Sequence, residues 1–202
     1  MRKQTLATLV AAGVALAVAA VLLTPPDQKL GGMVRFVMYH GASTWVNMLT
    51  FTLAGALGLA TLAGRERARA YGEAFRWVAL PHWVVNTILG LISMRLIWGG
   101  ILWNEPRLMM TFGILAGALL VLAAQFLLDS PKVPVALDAV LAAALWFLVL
   151  VLPNLFHPDS PVFNSDNRVY IATFFGMVVS VAFIVVPIAL AVARRKPTGE
   201  RG

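Results

Sequence analysis

The sequence predicts an all-α polytopic membrane protein with six transmembrane helices, a single membrane domain over residues 1–202 and both termini in the cytoplasm. Three observations carry that prediction. Of 202 residues, 60% are hydrophobic and 12% charged, with a mean hydropathy of +0.82, whereas a soluble domain has about 25% charged residues. Six stretches are nearly free of charge for the roughly 20 residues that crossing ~30 Å of hydrocarbon requires. Basic residues divide unevenly between the two alternating sets of connectors.

The first span, about 5–24, follows Arg2 and Lys3 and stops at Pro25-Pro26-Asp27. Met1-Arg2-Lys3 and Ala17-Val18-Ala19 also have the look of a signal peptide. The apolar run exceeds the h-region length of about 7–15 residues, so the segment is read as a retained span. The second span, about 44–64, lies in a longer charge-free run from Phe36 to Gly64 and ends at Arg65-Glu66-Arg67. Arg76 and Arg95 bracket the third, about 77–95, and Asn104-Glu105-Pro106-Arg107 introduces the fourth, about 108–128. The fifth, about 136–155, separates Asp129-Ser130-Pro131-Lys132 from His157-Pro158-Asp159. The sixth, about 169–193, lies between Arg168 and Arg194-Arg195-Lys196. Gly55, Ala56, Gly58 and Ala60, and later Gly113, Ala116 and Gly117, are small residues that permit close helix contact.

With the N-terminus inside, Arg2, Lys3, Arg65, Arg67, Arg69, Arg76, Lys132, Arg194, Arg195, Lys196 and Arg201 fall on the cytoplasmic side. Only Lys29, Arg35, Arg95, Arg107 and Arg168 fall on the other. Basic residues favour the cytoplasmic side, so the formal charge of +7 reads as loop placement in an inner membrane and not as nucleic-acid binding. Cysteine is absent, which excludes disulfides, thiolate metal sites, iron–sulfur clusters and covalently attached heme. Neither a phosphate-binding G-x-x-x-x-G-K-[ST] loop nor H-E-x-x-H occurs. No carboxylates pair within a span, so the chain reads as no enzyme and any energy input belongs to another subunit.

Histidines mark the candidate chemistry. His40 sits just before the second span, near the outer surface, in Met38-Tyr39-His40-Gly41-Ala42, and His157 follows the fifth in Leu155-Phe156-His157-Pro158. Both belong to the outer side, where two neutral imidazoles can supply the axial ligands of a heme iron. They also fit as interfacial polar residues of the kind that collect at that level. Between the third and fourth spans, the loop from Trp98 to Arg107 carries two indoles, Trp98 and Trp103, and ends at Glu105-Pro106-Arg107. An aromatic shelf covers a porphyrin edge, and Arg107, Arg35 or Arg168 can pair with propionates through bidentate hydrogen bonds. An aromatic belt with a basic flank is the other reading of the same residues.

Taken together, these segments resemble the CcmC type of heme-handling membrane proteins of cytochrome c maturation. Trp98-Gly99 with Glu105-Pro106-Arg107-Leu108 is similar to the family's tryptophan-rich loop, usually Trp-Gly-x-Trp-Trp-x-Trp-Asp-x-Arg-Leu. Met38-Tyr39-His40 with Ala42 and Trp45, and Leu155-Phe156-His157-Pro158, look like its two outer histidine segments. Ile101, Leu102 and Asn104 stand where the family has tryptophan, and Glu105 stands for its Asp. The resemblance implies non-covalent, b-type heme held by His40 and His157 as iron ligands, under a shelf of Trp98 and Trp103 with Arg107, Arg35 and Arg168 nearby. It also implies heme delivery at the outer face, with an ABC-type exporter and a periplasmic heme chaperone as partners. Two alternatives remain: a subunit that keeps heme for electron transfer, and a cofactor-free anchor or assembly subunit. His82, inside the third span, reads as a structural residue bonded to Asn86 or to a hydroxyl of another helix, and the resemblance offers as the alternative a second heme, which larger relatives of the family hold on membrane histidines.

Overall fold

The computed structural model describes residues 2–153, 155, 162 and 166–195. Six helices account for almost all of them: α1 (Lys3–Leu23), α2 (Val34–Leu62), α3 (Glu66–Trp98), α4 (Pro106–Leu127), α5 (Lys132–Val151) and α6 (Arg168–Ala193). Each is long and apolar enough to cross a membrane, and no strand occurs among the described residues beyond an isolated Asp27–Gly31 bridge. Local sequence accounts for several helix ends. Gly99 stops α3 in the left-handed conformation with φ 71°, which a residue bearing Cβ adopts at a cost. Pro106 opens α4 at its first turn, where a missing N–H loses no bond. The Asn167 side chain accepts the Val169 N–H at 3.0 Å and caps α6.

Two helices run beyond the expected spans. α2 starts at Val34, so His40 lies within it and not ahead of it, and α3 starts at Glu66, so Arg76 is a helical residue and not a connector charge. The physical reason is that absence of charge marks hydrocarbon, not helix ends. Helices continue past the apolar zone when pairs such as Arg69–Glu73, 3.0 Å apart at i,i+4, support them. At 1.5 Å per residue the 33 residues of α3 extend about 50 Å.

α2 is central, packed against α3, α5 and α6, while α4 leans on α5 and α1 lies along α6 with little contact to α2. Small residues permit the closest approaches. A Cβ on Gly58 would stand 2.7 Å from the Val135 carbonyl oxygen, one on Gly55 2.7 Å from Ala142 Cβ, and one on Gly13 of α1 2.8 Å from the Ser180 carbonyl of α6. Phe51, Trp83 and Leu145 fill the layer between α2, α3 and α5, with Ile114 of α4 beside them. The link from α1 to α2 is a tight turn in which the Asp27 carboxylate accepts the N–H groups of Lys29 at 2.8 Å and Leu30 at 2.9 Å. The Leu30 bond foremost, then that of Lys29, holds the Asp27 carboxyl below its usual value of 3.8.

Candidate functional site

Alternation of the helices brings the start of α2, the end of α3, the start of α4, the end of α5 and the start of α6 to one end of the bundle. Three bonds tie that end together. Arg35 Nε donates to the Thr24 carbonyl at 2.8 Å, Tyr170 Oη to the Pro26 carbonyl at 3.0 Å, and Arg107 Nη2 to the Val149 carbonyl at a long 3.5 Å. Trp103 is 64% exposed and stacks on Phe112 with ring centroids 6.3 Å apart. Half-buried Trp98 closes α3, and exposed Arg168 opens α6. His157 lies outside the described residues, so its relation to His40 is not part of this geometry. Glu105, which stands in the sequence as one loop carboxylate among several polar groups, is fully buried at 0% exposure where α4 begins.

His40 is half-buried on the face of α2 that meets α3. That face continues through Ser43, Thr44 and Asn47 at helical spacing, opposite His82, Asn86 and Gly90 of the antiparallel helix. Asn86 Nδ2 donates to Thr44 Oγ1 at 2.9 Å, and Thr44 Oγ1 donates to the His40 carbonyl at 3.0 Å. Ser43 Oγ lies 3.0 Å from His82 Nε2. The hydroxyl partner of His82 is therefore on α2, while Asn86 serves Thr44. His82 also borders an apolar groove of about 560 Å³ between α3 and α6, walled by Trp77, Pro81, Val85, Val185 and Ile188.

At the other end of the bundle Arg76 Nη1 and Asp138 Oδ2 are 3.1 Å apart, with side chains 3% and 4% exposed. Sequence reasoning missed this pair by treating Arg76 as a loop charge. Asp138, an acid inside an apolar run, was the available signal, because a carboxylate there needs a cationic or hydrogen-bonding partner.

Among known proteins, no family model and no curated sequence matches the chain. The family resemblance thus stands on the residues quoted for it. No group of three or more His, Asp or Glu that could hold a bare metal ion occurs among the described residues. Heme makes a different demand, since the porphyrin brings four nitrogens and the protein adds only axial ligands. At this end of the bundle a half-buried imidazole, with its Cε1–Nε2 edge toward Gly90 and its Nδ1 buried, an exposed indole and guanidinium groups are the residue types that a heme site uses.

Proposed function

We propose that the chain binds heme at the outer face of an inner membrane and delivers it for cytochrome c maturation. The observation that supports this most is the order of histidine segment, tryptophan loop and histidine segment, whose described members sit on one end of a six-helix bundle. In this reading His40 and His157 hold the iron, Trp98 and Trp103 cover the porphyrin, and Arg107, Arg35 and Arg168 face its propionates. Heme, when bound, would be the cargo passed on to the periplasmic heme chaperone. The chain's own residues bind and release it. With Ile101, Leu102 and Asn104 in place of tryptophan, fewer stacking contacts oppose release, which favours delivery over permanent retention. The basic asymmetry of the connectors supports an orientation with both termini cytoplasmic and the His40 end outside. An ABC-type exporter and a periplasmic heme chaperone are the partners this role requires. One observation favours the cofactor-free reading: Arg35 and Arg107 already donate to backbone carbonyls.

Absorption spectra of the purified protein, before and after dithionite, decide between these readings. Low-spin bands are expected, altered by His40→Ala and by His157→Ala, absent from the double variant and retained in His82→Ala. Transfer to a heme-free acceptor should deplete the bands, and loss at Trp98→Ala should change its rate. Heme that stays bound with excess acceptor refutes delivery, and protein from heme-replete cells without any heme refutes the whole reading. In intact cells a cysteine at Asn104 should react with an impermeant thiol reagent and one at Ser130 should not; the reverse pattern overturns the orientation.

A further inference from the structure

Gly90 is where α3 comes up against the candidate ligand. A Cβ built on it would meet His40 Cε1 at 3.1 Å and Nε2 at 3.3 Å, with Nδ1 at 4.0 Å. Carbon contacts are ordinarily about 3.5–4.0 Å, so the imidazole occupies space that any side chain at position 90 would claim. Backbone geometry does not call for glycine here, because among the described residues positive φ occurs only at Gly31, Gly64 and Gly99. Inside a helix glycine is about 1 kcal/mol less favourable than alanine. What the missing side chain provides is room for the ring. Meanwhile the main chain of His40 is held separately, through Thr44 and Asn86, so α2 is braced against moving away from α3.

We propose that Gly90 is a positioning residue for the His40 imidazole: its bare backbone sets where the ring stands, and hence where an axial ligand is presented. The geometry is independent of heme, while the purpose rests on the heme-handling reading. Binding constellations tolerate displacements of about 0.5 Å, and a Cβ at position 90 would push the ring by a comparable distance.

The test uses the full chain in detergent with Gly90→Ala, Gly90→Val and, as control, Gly113→Ala, where nothing lies within 4 Å of the added Cβ. Two signals are followed. One is the rate at which diethyl pyrocarbonate modifies each histidine, read by peptide mass spectrometry, and the other is the Soret band after hemin addition. Gly90→Ala should change the His40 rate severalfold and weaken the low-spin band, Gly90→Val should do more, and Gly113→Ala should do neither. The His82 rate and the thermal midpoint should stay put in Gly90→Ala. Unchanged His40 rates in both Gly90 variants overturn the proposal, as does a change shared equally by His40 and His82 with a fallen midpoint, which marks general packing. A shift in His40 reactivity in protein that binds no hemin sinks the heme reading and leaves the positioning role standing.

Discussion

The two ends of the bundle are held by different means. Around Arg76 and Asp138 the links are between helices and leave no slack: a buried ion pair joins α3 to α5, and Gly55 and Gly58 bring α2 against the α5 backbone. At the His40 end, beyond the Asn86–Thr44 and Ser43–His82 contacts of α2 with α3, the links run from Arg35 and Tyr170 to carbonyls of Thr24 and Pro26, and Trp103 stands exposed. Packed backbone against backbone is stiff, whereas a side chain on a carbonyl can let go and reform. Under the proposed delivery role, compliance at one end and a fixed frame at the other would suit taking up and surrendering a large ligand.

The largest effect should come from unpairing the stiff end. Asp138→Ala leaves Arg76 buried without its counter-charge and should destabilise by about 3–5 kcal/mol, read as a lowered thermal midpoint in detergent. Replacing both members, Arg76→Met with Asp138→Leu, should recover most of it; equal losses in the single and double variants would break the contrast. Next come the glycines. Gly58→Ala sets a Cβ 2.7 Å from a backbone oxygen that cannot step aside, and overpacking of that kind costs about 1–3 kcal/mol. Gly90→Ala meets a ring that can move and should leave stability near the wild-type value, so equal losses at the two glycines would show the two ends to be equally rigid.

A smaller loss than at Gly58 belongs to Asp27. Its carboxyl is depressed in the fold, so the turn's contribution is complete above the ordinary value of 3.8 and disappears as pH falls through the lowered one. Wild type should therefore exceed Asp27→Asn in thermal midpoint at neutral pH and converge on it in strong acid. A difference that persists into strong acid would assign the turn's stability to something other than this carboxylate.

The six helices were legible because hydrocarbon imposes a length on every run of apolar residues. Their ends were less so, since α2 and α3 continue on residues that pay no regard to charge-free windows. Arg76 illustrates the limit: its neighbours Trp77 and Phe75 disclose nothing of Asp138, far along the chain, and only the folded register makes them a pair. His40 was recognisable as a candidate ligand, and so was the need of His82 for Asn86 or a hydroxyl of another helix, but not that Ser43 and Thr44 would meet that face. That Gly90 faces His40 was not, because glycine carries no pattern of its own and its meaning here depends on which residue stands across from it. His157 remains a sequence-level candidate outside the described residues.

The pairing of α1 with α6, seated where Gly13 meets the Ser180 carbonyl, has a consequence for biogenesis. α1 leaves the ribosome well before α6, its principal neighbour, has been made. At about 5–20 residues per second, synthesis of the intervening chain takes on the order of 10–30 s, during which α1 resides in lipid without that neighbour. Its residues from Leu9 to Leu23 are all apolar, which suits the wait, and the docking of α1 on α6 becomes a late, post-insertion event that any chaperone acting on this protein has time to influence.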